Sequence, residues 1–189
     1  MPVPGVVFGV PPKKFLMRTE TDKEKLEAFF EAFGNRVNGE GRIYLTGGAT
    51  AVLHGWRTMT IDVDIKGDPE PPGFFEAIAT LKDELDINIE LASPDLFIPA
   101  LPGWRERSLF IGRTGHIDFF HYDPYSQALA KIERGHDRDT GDVRALLDLG
   151  LIDKRRLLEY FLAIEKDLIR YPAIDPSTFR QAVTDFCSS

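Results

Sequence analysis

The chain has 189 residues, 43% hydrophobic and 28% charged, a balance that suits one sizeable folded core. No apolar run approaches the ~20 residues that cross a bilayer, so no membrane association is expected. Its 23 basic and 30 acidic residues leave a net charge of −7, a poor match to extended duplex DNA, where phosphate neutralisation supplies most non-specific affinity.

The opening "MPVPGVVFGVPPKKF" is broken by prolines and lacks a basic start before its apolar residues. It reads as an extended arm over 1–20 and not as a signal peptide. Thr21 and Glu24 have capping-box spacing, Leu26, Phe29, Phe30 and Phe33 follow at helical intervals, and Gly34-Asn35 marks the stop. "RIYLT" (42–46) is a buried strand, "GATAVLHG" (48–55) a short helix closed by Gly55, and "IDVDI" (61–65) an alternating strand. An amphipathic helix with Phe74, Phe75, Ile78, Leu81 and Leu85 on one side comes next, then the strand "INIELA" (87–92). "SPDLFIPALPGWRER" has too many prolines for a regular element. "SLFIG" (108–112) and "HIDFFHY" (116–122) are strands around a tight "RTG" turn. Helices are expected over 125–134, 139–149 and 153–169, with a last one capped at Asp175-Pro176. The fold class is therefore α/β (α+β): an α/β core over 21–124 and a helical C-terminal part over 125–189. The basic clusters "WRER" (104–107) and "DKRRLLEY" (153–160) read as solvated faces. Cys187, the single cysteine, offers no disulfide framework, which fits a reducing cytoplasm.

Residues 44–65, "YLTGGATAVLHGWRTMTIDVDI", carry the chemistry. In a strand, Asp62 and Asp64 share one face while Ile61, Val63 and Ile65 take the other. Two like charges side by side repel unless a cation or water screens them, and hard carboxylate oxygens suit Mg²⁺. The bland alternative is an edge strand with a wet acidic face. Gly47-Gly48 removes two side chains where a strand meets a helix, opening the helix N-terminus to an anion, or simply making a tight turn. No Gly-Lys-Ser/Thr follows, so this is no P-loop, and "GGATAV" does not fit the dinucleotide fingerprint. A phosphate-cradling turn ahead of an Asp-x-Asp strand forms a site for a nucleoside triphosphate and Mg²⁺.

"LTGG" followed by "TIDVDI" resembles the signature of the nucleotidyltransferase fold of the polymerase β superfamily. "ALAKIERGHDRDTGDVRALLDLGLID" (128–153) is similar to the downstream Lys…Arg-Asp-x-x-Asp block of bacterial families near the AbiEii-type abortive-infection toxins, and "FIPALPGWRERS" to a segment of one uncharacterised family in that group. The resemblance implies a mixed sheet flanked by helices and a C-terminal helical extension. It implies Asp62 and Asp64 as ligands of Mg²⁺ (or Mn²⁺) and Thr46, Gly47, Gly48 and Thr50 around the phosphates of an NTP. A hydroxyl would attack the α-phosphorus and pyrophosphate would leave. The acceptor stays open among RNA (tRNA for a toxin-like enzyme), a protein side chain and a small molecule. A toxin-like member implies a cognate antitoxin.

The family adds a third carboxylate on a later strand. Glu90, favoured as catalytic residue and metal ligand, competes with Asp118. Lys131 matches the lysine read as a phosphate or base contact, or is a snorkelling surface lysine. Asp139 and Asp142, after Arg138, match the acidic positions, with Asp142 at the nucleotide, or merely stabilise a helix N-terminus. Arg57 meets phosphate or sits at a strand edge. The four histidines lack metal-ligand spacing. Trp56 and Trp104 read as packing residues, with base stacking open to an exposed Trp104. The rival function is a catalytically inactive nucleotide- or protein-binding module of this fold; NTP hydrolysis ranks third.

Overall fold

The computed structural model describes residues 19–189, so all but the last two residues of the expected arm lie outside the described residues. Five strands form one sheet in the order β3-β2-β1-β5-β4. They are β1 (Gly41–Thr46), β2 (Asp62–Gly67), β3 (Asn88–Leu91), β4 (Leu109–Thr114) and β5 (Ile117–His121). The sheet is mixed: β1 runs antiparallel to β2 and parallel to β5, β2 parallel to β3, and β4 antiparallel to β5. Around it lie α1 (Lys23–Arg36), α2 (Gly47–His54), α3 (Phe74–Glu84), the short α4 (Trp104–Arg107), α5 (Pro124–Arg134), α6 (Asp137–Asp148), α7 (Lys154–Ile164) and α8 (Pro176–Ser188). Among the described residues no helix is long and apolar enough to cross a membrane.

Alternation along the strands splits the apolar side chains between two cores. Ile43, Leu45, Val63, Ile65, Ile89 and Phe119 meet Phe29, Phe33 and Phe74 of α1 and α3. Tyr44 and Tyr122 meet Trp104 and the helical layer that includes Leu129, Leu157 and Phe161. Each such side chain, once buried, contributes about 1.5–3 kcal/mol. A mixed sheet covered on both faces by helices is the nucleotidyltransferase-type α/β architecture, with the helical extension at its C-terminal end.

Several local expectations change. The cap of α1 is Asp22, whose Oδ1 accepts from Lys25 N at 3.0 Å. Thr21 instead exchanges two backbone hydrogen bonds with Thr60 (2.7 and 2.9 Å), so no capping box forms. Gly34 does not stop the helix, which runs on to Arg36; a Cβ there would lie 2.4 Å from the Thr114 carbonyl oxygen, so glycine serves close packing. Phe75 is exposed, because α3 turns residues 74, 77, 78 and 81 inward. The third C-terminal helix gives way to a 3₁₀ turn over Glu165–Arg170.

The "WRER" cluster is not a solvated face. Trp104 stacks on Tyr122 at 4.4 Å between ring centroids, and Arg105 lies over the Trp104 ring. Arg107 donates from Nε and Nη2 to Asp123 (3.1 and 2.8 Å), a fully buried carboxylate that also caps α5. Trp104 is only 6% exposed and thus closed to base stacking.

Candidate active site

Strand β2 presents Asp62 and Asp64 to a cleft while Val63 and Ile65 sink into the core. Register then places neighbours beside them: Thr46 and Glu90 flank Asp64, and Asn88 pairs with Asp62. Asn88 Nδ2 donates to Asp62 Oδ1 (2.6 Å) and to Glu90 Oε1 (3.0 Å), tying two carboxylates through one amide. Asp64 has no ion pair or side-chain hydrogen bond among the described residues. Burial, then the charges of Asp62 and Glu90, push its carboxyl up to about 6; Lys131 and Arg134 pull only partly the other way.

That arrangement fits a hard divalent cation, whose charge would reverse the repulsion. Among the described residues no three His, Cys, Asp or Glu side chains form a closed metal cage. Asp62 and Asp64 would therefore supply the protein's carboxylates, as Mg²⁺ commonly takes one or two and completes its shell with water and phosphate oxygens. Glu90 reaches the same cleft from the exposed sheet edge. Asp118 does not: it sits on β5 opposite Arg42 and pairs with Arg113 at 3.4 Å.

The two glycines have different tasks. Gly47 lines the cleft with Thr46 at the start of α2, and its amide donates to Gln127 Oε1 at 3.0 Å. Its φ is +60°, and a Cβ would fall 2.7 Å from Asp64 Oδ2. Gly48 faces the other way, where a Cβ would lie 1.9 Å from Thr60 Oγ1; it lets α2 close onto the chain before β2. Gly47→Ala is expected to cost about 1–2 kcal/mol of stability through the left-handed backbone. It should also lower kcat/KM about a hundred-fold by displacing Asp64, as read from urea melts beside steady-state rates.

The opposite wall is one face of α5: Gln127, Lys131 and Arg134 stand at i, i+4 and i+7. Carboxylates of α6 hold the two cations from behind. Lys131 Nζ donates to Asp139 Oδ1 (3.1 Å) and Asp142 Oδ2 (2.6 Å), and Arg134 clasps Asp139 through Nε and Nη2 (2.7 and 2.6 Å). The Asp139 clasp raises the Arg134 pKa. Burial alone would raise Asp139, but Arg134 and Lys131 outweigh it and hold the carboxyl below its ordinary value.

Asp142 lies behind this wall, taken up by Lys131, by Arg57 at 2.6 Å and by Trp56 Nε1 at 3.0 Å. Arg57 is thereby committed to a carboxylate, away from the cleft lining. Thr50 is buried, donating to the Leu45 carbonyl at 3.2 Å and sitting 3.3 Å from His121 Nδ1. His54 and His121 stack at 4.2 Å, and burial with the charge of His54 pulls His121 down to about 3.

The structure thus joins Thr46, Gly47, Asp62, Asp64, Glu90 and Lys131 in one cleft of about 320 Å³, and sets Gly48, Thr50, Arg57 and Asp142 behind its walls. Ser93, Gln127, Glu133 and Arg134 are polar cleft residues that sequence reading missed, as is Asn88, which holds Asp62 and Glu90. The i, i+4, i+7 spacing of Gln127, Lys131 and Arg134 among apolar neighbours was an available signal for two of them. No curated protein and no solved structure matches the chain. A family model described as a nucleotidyltransferase of unknown function (DUF6036) matches residues 24–186, nearly all of the described chain, and the chain belongs to that family.

Proposed function

We propose that the protein transfers a nucleoside monophosphate from an NTP to a hydroxyl acceptor, with Mg²⁺ or Mn²⁺ held by Asp62 and Asp64. One observation carries this reading: a carboxylate pair without an ion-pair partner among the described residues faces a glycine turn and two cations across a single cleft. A bound divalent ion would offset the triphosphate charge and the charge that develops in transfer. The chain's own residues do the rest. Thr46 and Gly47 bring a helix N-terminus to the phosphates. Lys131 and Arg134, oriented by Asp139 and Asp142, stabilise the departing pyrophosphate. The acceptor oxygen bonds to the α-phosphorus, the α–β bridging bond breaks, and pyrophosphate leaves with the electron pair. Glu90, beside Asp64 in register, takes the hydroxyl proton. The third-ligand role expected of it has no support, since among the described residues no three His, Cys, Asp or Glu side chains are grouped to hold a metal.

The net charge of −7 favours a compact acceptor contact over a long duplex groove. Within this reading the AbiEii-like resemblance points to tRNA as acceptor and to a neutralising antitoxin. A second reading, a nucleotide-binding module without turnover, draws support from Glu90, which is exposed and tied to Asn88. The two part in one experiment: α-labelled NTPs and Mg²⁺ with a mixed pool of tRNA, protein and small molecules. Label in an acceptor that chelator abolishes is expected. Nucleotide binding in calorimetry without any transfer would hand the case to the binding module.

A further inference from the structure

The turn after β3 holds an aromatic ring in solvent at the cleft. Phe97 is 54% exposed, yet it lines the same cleft as Gly47, Asp62 and Asp64. Its backbone is pinned. Phe97 N and Ile98 N both donate to the Pro94 carbonyl, at 3.0 and 2.9 Å. Asp95 accepts from Lys66 Nζ (2.7 Å), Ser93 Oγ (2.6 Å) and Tyr122 OH (3.3 Å), and its carbonyl accepts from Tyr171 OH (3.1 Å). Pro94 and Ile98 on either side are buried. A rigid turn therefore presents a large apolar ring and prevents the burial that such a ring otherwise gains.

We propose that Phe97 is the platform on which the base of the substrate nucleotide stacks, so that the cleft recognises a nucleoside as well as a triphosphate. This rests on the nucleotidyl-transfer reading above. The lining is weighted by chemistry: glycine, carboxylates and cations on α2, β2, β3 and α5, against a post-β3 turn where Ala92, Pro94 and Phe97 surround the one polar residue, Ser93. A nucleotide has the same division, an anionic tail and a flat aromatic head. Stacking on one ring tolerates every base, because each has a π-face. A partner protein's apolar side chain is the rival occupant of an exposed phenylalanine. The nucleotide is favoured because the ring shares its cleft with the charged groups.

Calorimetry of the full chain with Mg²⁺ tests this, titrating each of the four NTPs and, separately, inorganic tripolyphosphate. Phe97→Ala is expected to weaken NTP binding about ten-fold and to leave tripolyphosphate binding within two-fold, while Phe97→Trp restores NTP affinity. Equal weakening of both ligands, or no weakening of either, overturns the base platform and leaves the transfer reading standing. Wild type that binds neither ligand overturns the transfer reading, and this inference with it. Because Phe97 is exposed, its truncation spares the core, and the Trp variant guards against a folding artefact.

Discussion

Asp64→Asn is expected to lower nucleotidyl transfer roughly a thousand-fold, the loss of several kcal/mol of charge stabilisation, while making the metal-free protein more stable at pH 8. The second half follows from linkage. The folded carboxyl titrates near 6 against an ordinary 3.8, so ionisation opposes folding. Below about pH 4 both states are protonated and no penalty exists. Between about 4 and 6 the folded state holds the extra proton, so stability falls as pH rises, and above 6 the penalty is complete. The shift corresponds to about 3 kcal/mol as an upper bound. Asn keeps the shape and removes the charge, so its melting temperature in chelator should exceed that of wild type by several degrees at pH 8, with little difference at pH 4. Added Mg²⁺ should raise the wild-type melting temperature and leave the variant unmoved. A variant that still transfers nucleotide, or melts below wild type at pH 8 in chelator, would sink this account of the pair.

Asp142→Ala is expected to give the largest loss of stability, about 3–5 kcal/mol. Its side chain is 3% exposed and serves Lys131 and Arg57, themselves 10% and 20% exposed. Removing it strands Arg57 where water reaches poorly, leaves Lys131 with Asp139 as its one carboxylate, and leaves the Trp56 indole N–H without its acceptor. Lys131→Met should cost markedly less, because Asp142 keeps Arg57 and Trp56 while Asp139 keeps Arg134. Activity should fall in both, through an unpositioned or missing Lys131. Urea melts of the two single variants and the double variant separate the terms, and the double should recover part of the Asp142→Ala loss. If Asp142→Ala cost under about 1 kcal/mol, the network would be a solvated surface cluster and not a buried support.

Much of the site was legible because it depends on local periodicity. A period of two puts Asp62 and Asp64 on one face whatever packs against them, and a strand-to-helix junction at Gly47 follows from the apolar runs on either side. Order of elements favoured Glu90 over Asp118, and the register of β2 with β3 sets Glu90 beside Asp64. Lys131 was named, but its function as a carboxylate-held cation was not, since the holders lie on the next helix.

What the sequence by itself determined is the alternation of strands and helices, the acidic face of β2 and the glycine turn, all set by neighbours a few residues apart. Docking of the helical layer onto the sheet decided the rest. It brought Gln127 to the Gly47 amide and turned Arg57 and Trp56 toward Asp142. It closed Thr60 against Gly48 and buried Trp104 between Tyr44 and Tyr122, while Phe97 stayed exposed at the cleft. Such partners are far apart along the chain, and no residue carries a mark of which distant charge or ring it will meet. Only the packing that removes both from water makes their pairing worth more than hydration.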